Sequence, residues 1–253
     1  MRLPEPFYPW DEHIGIDLAG ARALFTTRRD GFSEGPYASL NLGRMTDDRP
    51  EAVRRNRVKV QEQAGVPAAL IFQIHGTSVR TIAGMSDVGV APPPDTDIEL
   101  LKADGQATQL SGVAPMVLTA DCLPIALAGD GAVAMLHAGW RGLAGGIVAE
   151  GVRAVRELGA GGPLEAAIGP GAGGCCYEVG EEVFELFSEY GERVRDGRNI
   201  DLKAIARDQL GRAGVEAVHD VDLCTICSDE SLFFSHRRDH GVTGRQAGLV
   251  WLS

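Results

Sequence analysis

The sequence predicts an α/β fold with α+β tendency, a single domain over residues 1–253 whose mixed, partly antiparallel sheet is flanked by helices. Three observations lead there. Strand-like apolar runs alternate with helix-like stretches along the chain. Two of those runs, residues 123–128 and 132–138, are joined by a link too short for a crossover helix, so they must pair antiparallel. With 253 residues, 44% of them hydrophobic, the chain can bury one large core.

Taken in order, residues 22–27 read as a strand, and 28–45 as a polar loop punctuated by Gly31, Gly35, Pro36 and Gly43. Asp48-Arg49-Pro50-Glu51 has the Asp-x-x-Glu spacing and early proline of a helix start, and Gly65 supplies the stop, so a helix is expected over 49–64. Residues 69–74 and 79–83 read as strands, and Pro92-Pro93-Pro94-Asp95 as a surface loop. Strands follow at 113–120, 123–128 and 132–138. Taking Gly129-Asp130 as the turn sets Cys122 opposite His137, with Cβ atoms about 5 Å apart. A helix over 145–158 carries Ile147, Val148, Val152 and Val155 on one side. A short strand at 166–169 leads into a glycine-rich turn. Helices over 180–190 and 201–213 and strands at 215–221 and 248–252 complete the chain.

Charge narrows the partners. Lys and Arg number 24 against 35 Asp and Glu, a net charge of −11, which repels nucleic acid and anionic membranes. No apolar run reaches the roughly 18 residues of a membrane span, and Met1 to Pro6 lack the pattern of a signal peptide. A cytoplasmic monomer acting on a small molecule is the expectation. No Gly-x-Gly-x-x-Gly follows a strand and no P-loop motif appears, so dinucleotide and P-loop readings lack support. Five cysteines, an odd number, argue against a disulfide framework. Cys175-Cys176 and Cys224-Thr225-Ile226-Cys227 suit either a four-cysteine zinc site or small loop residues. Adjacent cysteines fit one tetrahedral ion awkwardly, which favours the loop reading.

Chemistry concentrates where apolar runs end. Residues 116–120 run into Asp121-Cys122, and 132–136 run into His137. With His75, from Ile74-His75-Gly76, these give one thiolate and two imidazoles, a three-ligand zinc set with one position open. A lone buried Cys or His is more often packing than ligand. Three of them at strand ends, beside Asp121 and Arg141, point instead to a site. Asp121 and Arg141 are the catalytic candidates. Gln73 shares a strand face with His75, and with Asn41 and Arg57 it makes up the candidate substrate contacts. The plainer readings are a loop-shaping role for Asn41 and a solvated helix face for Arg57. Phe233 to His240 suits either a nucleotide pocket or a salt-bridged turn.

Taken together, several segments resemble the YfiH/laccase-domain family, whose members are also called multicopper polyphenol oxidoreductases and peptidoglycan editing factors. They are Ser39-Leu40-Asn41-Leu42-Gly43, Asn56-Arg57, Gln73-Ile74-His75-Gly76, Ala120-Asp121-Cys122-Leu123-Pro124, His137-Ala138-Gly139-Trp140-Arg141-Gly142, Cys176-Tyr177-Glu178-Val179-Gly180 and Phe233 to Asp239. The resemblance spans nearly the whole chain. Arg28-Arg29-Asp30-Gly31 departs from the Arg-x-Gly-Gly usual there. The resemblance implies a zinc ion on His75, Cys122 and His137. It also implies phosphorolysis of purine nucleosides (adenosine, inosine and methylthioadenosine, with phosphate, to free base and ribose 1-phosphate) together with adenosine deamination. Three alternatives stand beside it: a copper-dependent polyphenol oxidase, for which six histidines are few; an amidase acting on a peptidoglycan precursor; and a non-catalytic zinc-stabilised module.

Overall fold

The computed structural model describes residues 2–84 and 100–253. The expected loop at Pro92 to Asp95 lies outside them. The mixed α/β character holds, but the strands divide between two six-stranded sheets and a two-stranded ribbon of β11 (Arg195–Asp196) and β12 (Asn199–Ile200). The first has the order β1 (Tyr8–Trp10), β2 (His13–Leu18), β3 (Ala21–Phe25), β14 (Gln246–Leu252), β7 (Ala114–Thr119) and β4 (Ala68–Ala69). The second runs β13 (Ala217–Asp220), β10 (Gly161–Ile168), β8 (Leu123–Asp130), β9 (Ala132–Ala138), β6 (Gly105–Thr108) and β5 (Val79–Ile82). Parallel pairing is confined to the sheet margins, β4 with β7, β10 with β13, and β5 with β6.

Three apolar layers hold the sheets. Phe25, Val117, Ala126, Val133, Met135 and Val250 fill the gap between them. The outer face of the first sheet packs Leu24 and Leu249 against Leu40, Leu42 and helix α1 (Pro50–Ala64). Leu123, Ile125, Leu127, Ala134 and Leu136 share an apolar layer with α2 (Trp140–Gly145), α3 (Ile147–Glu157), α4 (Glu181–Leu186) and α5 (Leu202–Arg212) on the far side of the second sheet. Strands β8 and β9 are therefore buried on both faces. This explains why they read as continuous apolar runs rather than as alternating ones.

Four local expectations need correction. The β8–β9 turn is Asp130-Gly131, with Gly131 at φ 76°, a left-handed conformation that favours glycine. This shifts the register, so Pro124 stands opposite His137 and Cys122 lies just beyond the strand. Asp48 does not cap α1; its carboxylate takes the Asn41 side-chain amide and the Arg49 N–H. The helix expected over 145–158 starts only at Ile147, because Gly146 takes a left-handed φ of 93°, and a short helix that was not expected, α2, precedes that break. The strand expected at 69–74 keeps only Ala68–Ala69.

Candidate metal centre and active site

His137 is the next-to-last residue of β9. Two positions past Met135, it shares that residue's side of the strand, toward the gap between the sheets. Cys122 precedes β8 and reaches the same place. Its Sγ would lie 2.8 Å from a Cβ built on Gly139, so only a glycine there admits the thiol without displacement. His75 arrives from the loop before β5, its ring 4.8 Å from that of His137 at an interplanar angle of 74°. One ligand atom from each of His75, Cys122 and His137 falls within 4.8 Å of the other two. His137 is buried, Cys122 half-buried and His75 exposed, so the cluster opens on the His75 side.

Asp104 organises the cluster. The backbone N–H groups of Ile74, His75 and Gly76 all donate to its carboxylate, at 3.1, 2.9 and 2.6 Å. Such converging amides form an anion nest, and here they hold His75 at φ 59°. The same carboxylate lies 2.8 Å from His137 Nδ1, while the Asp104 carbonyl accepts the His137 N–H at 2.7 Å. Fixing Nδ1 in this way leaves Nε2 as the ring nitrogen for a metal. Asp104 is fully buried. Burial raises its pKa, yet the His137 ring and the N–H donors of Gly76 and Ile74 outweigh burial and hold it below the ordinary carboxylate value. Asp104 was not among the sequence candidates. The one signal it offered was an acid set between apolar Ala103 and the buried stretch that follows.

Within the cluster, burial opposes charge on both Cys122 and His137, but each stabilises the other. The thiol is held down to about 6 by the two histidines, and the His137 imidazole is raised to about 9 by Cys122 and Asp104. A thiolate with two imidazoles, one of them oriented by a buried carboxylate, suits a borderline-soft divalent ion such as zinc.

Around the cluster stand residues from three further loops. Asp121, at φ 92°, accepts the Thr225 hydroxyl and the Arg237 N–H, each at 2.7 Å, so both carboxylate oxygens are engaged. Its carbonyl accepts the Ala172 N–H at 2.7 Å. Arg141 is exposed in the first turn of α2 and stacks on Trp140 at 4.0 Å. Tyr177 and Arg245 also face the cluster, and neither was a sequence candidate. Tyr177 is pushed up to about 12 by burial and by the nearby charges of Cys122 and Asp121, against the opposing guanidinium groups of Arg237 and Arg141. Burial lowers the Arg245 pKa, while Cys122, Asp121 and Tyr37 draw it back.

The other candidate contacts turn inward. Asn41 is fully buried; it donates to Thr46 and Asp48 and accepts from the Gly43 and Arg245 N–H groups. Arg57 is no solvated face. It is buried and donates twice to the Leu42 carbonyl, at 2.8 and 2.6 Å, and burial lowers its pKa to about 9. Gln73 exchanges two 2.8 Å hydrogen bonds with the Leu118 backbone. These three brace the loops that carry the site.

A thiolate–imidazole cluster at the mouth of a two-sheet α/β sandwich defines a class of metal-binding enzyme scaffold. The chain belongs to the multi-copper polyphenol oxidoreductase laccase family, whose model matches residues 22–253. It is 38% identical to a purine nucleoside phosphorylase of Pseudomonas aeruginosa, covering 92% of this chain and 94% of that one. It is 40% identical to a purine nucleoside phosphorylase of Streptomyces coelicolor, covering 92% and 96%. The crystal structure of YfiH from Bacillus licheniformis superposes with a TM-score of 0.89 at 30% identity, covering 99% of this chain and 100% of that one. YlmD from Geobacillus stearothermophilus gives 0.83 at 36%, covering 92% of each. No described helix is long and apolar enough to cross a membrane.

Proposed function

We propose that this chain is a zinc-dependent purine nucleoside phosphorylase that also deaminates adenosine. The observation that carries the reading is the cluster of His75, Cys122 and His137, with the Arg245 guanidinium near enough to act on Cys122 and those of Arg141 and Arg237 near enough to act on Tyr177. The phosphorylase relatives, similar over nearly their whole length, support it. His75, Cys122 and His137 would hold the ion, which supplies Lewis acidity and an electrostatic hold on an anionic oxygen. Cys122 contributes the thiolate that favours zinc over harder ions. The five free cysteines favour a reducing compartment, the cytoplasm.

In phosphorolysis a phosphate oxygen bonds to the ribosyl C1′ as the bond from C1′ to the purine breaks, and the departing base takes up a proton. Arg141, exposed at the rim, steers and holds the phosphate dianion with Arg245 behind it. Tyr177 stays a phenol at neutral pH, so it can donate a hydrogen bond to the departing purine. Asp121 acts as a positioning residue, tying Cys122 to the Thr225 and Arg237 loops. In deamination, water adds to adenine C6 and ammonia departs from the same pocket.

The test is incubation of the zinc-loaded protein with adenosine, with and without phosphate, and identification of the products. Adenine and ribose 1-phosphate that appear only with phosphate establish phosphorolysis; inosine formed without it establishes deamination. His137→Ala should abolish both. Folded, zinc-loaded protein that yields neither product sinks the reading.

A further inference from the structure

Strands β10 and β13 are parallel neighbours, so the loops that follow them leave the same end of the sheet. Backbone bonds carry the pairing onward: Gly171 N–H to the Leu223 carbonyl at 3.3 Å, and Thr225 N–H to the Gly171 carbonyl at 3.1 Å. This sets Cys175-Cys176 beside Cys224 and Cys227. Adjacent cysteines look unsuited to one ion in an extended chain, but here the chain turns. The N–H groups of Cys176 and Tyr177 both donate to the Gly173 carbonyl at 3.0 Å, and the tight turn brings both thiols round to the same centre. All four Sγ atoms lie within 4.8 Å of one another. Cys175 is 3.4 Å from Cys176 and 3.6 Å from Cys227. Four thiolates about 2.3 Å from a zinc ion would stand about 3.8 Å apart along the edges of a tetrahedron.

We propose that Cys175, Cys176, Cys224 and Cys227 bind a second zinc ion, in a closed structural site separate from the cluster of His75, Cys122 and His137. Packing does not account for these thiols, because Cys175 and Cys227 are exposed and Cys176 is half-buried. A single disulfide does not account for them either, because Cys175 has two sulfur neighbours at nearly the same distance. Cys224, the buried member, receives backbone N–H donors from Gly173, at 3.2 Å, and from Ile226 and Cys227. Donors of this kind orient a metal thiolate and spread its charge. Each thiol releases its proton on binding, so the filled site carries a charge of about −2. A cavity of about 660 Å³ borders the cluster and gives it solvent access; its lining sets Arg193, Arg195, Lys203 and Arg207 against Asp196, Asp201 and Asp222.

Four protein ligands leave no open position, so this ion would be structural. Its place in the chain gives it reach. Tyr177 follows Cys176 directly, and Thr225, which donates to Asp121 beside Cys122, lies between Cys224 and Cys227. The second ion would therefore clip together one wall of the active site.

The experiment is zinc analysis of the full chain purified under reducing conditions, with cysteine alkylation mapped by mass spectrometry. Wild type should carry about two zinc ions, and Cys224→Ser/Cys227→Ser and His137→Ala about one each. In the wild type the four cysteines should resist alkylation together and become reactive together once a chelator strips the metal. The alkylation map decides the matter even if the double variant does not fold. Unchanged zinc content in that variant while folded, free alkylation of the four thiols in zinc-replete protein, a disulfide among them, or iron in place of zinc would each overturn the proposal.

Discussion

Asp104→Asn tests the claim that one buried carboxylate arranges both histidines. The change is nearly isosteric, but it replaces one accepting oxygen by a donating amide. In the wild type each oxygen takes two donors: Oδ1 the His75 N–H and His137 Nδ1, Oδ2 the N–H groups of Ile74 and Gly76. If the new amide nitrogen faces Ile74 and Gly76, two backbone donors lose their acceptor. If it faces His137, the ring must accept at Nδ1 and carry its proton on Nε2, where a metal needs a lone pair. The His75 N–H is orphaned as well. A buried donor left without a partner costs about 1–3 kcal/mol, so two cost about 2–6 kcal/mol. Zinc affinity should fall about 10- to 100-fold. Chelator competition reads the affinity and denaturant titration the stability. A variant that binds zinc as tightly as wild type and unfolds at the same denaturant concentration refutes the organising role of Asp104.

Gly139→Ala should separate metal binding from folding. The backbone at φ −83° and ψ 175° accepts alanine, but the added Cβ would meet Cys122 Sγ at 2.8 Å. Relief of that contact costs about 1–3 kcal/mol and displaces the thiol, so zinc affinity and turnover should drop while the fold survives; calorimetry with zinc titration checks this, and normal affinity would show that the contact relaxes elsewhere. Asp239 gives a pH signature. Burial raises its pKa, but the Arg238 guanidinium, at 2.7 and 3.0 Å, and the Thr243 hydroxyl, at 2.8 Å, hold it below the usual value. Folded protein then binds fewer protons at this group than unfolded protein, so the stabilisation is present above the ordinary carboxylate pKa and is lost as pH falls. Asp239→Asn should lower stability at neutral pH by about 1–2 kcal/mol and converge with wild type in acid; parallel melting curves across that range would contradict the assignment.

What the sequence revealed and what it hid have a common cause. His75, Cys122 and His137 were legible because ligand-type side chains at the ends of apolar runs have few uses besides chemistry. Their exact relation was not. A turn at Gly129-Asp130 rather than Asp130-Gly131 displaces the partner of His137 by two residues, from Pro124 to Cys122, although Asp-Gly is the stronger hairpin signal. Asp104 and Arg245 were hidden because each acts through contacts distant in sequence: Asp104 on 74–76 and 137, Arg245 on Cys122 and Asp121. Strand β2 was missed for a related reason, since its residues 13–16 are all buried and show no alternation. Asn41, Arg57 and Gln73 stood out as polar residues in ordered segments. What orders them is the bracing of loops by side chain-to-backbone bonds, which a linear reading cannot tell from substrate contact.

The unequal burial of the three ligands has a kinetic consequence. Cys122 and His137 are held by packed strand ends, whereas His75 is exposed and only its backbone is anchored, by the Asp104 nest. An ion held by the cluster would leave by way of the His75 side chain, which can swing on its torsions without disturbing either sheet. Because the backbone stays in place, the ring remains poised to recapture the ion before the inner pair lets go. His75 would therefore govern how fast a bound metal exchanges, while Cys122 and His137 would govern how tightly it is held. A change at His75 should quicken exchange out of proportion to its effect on affinity.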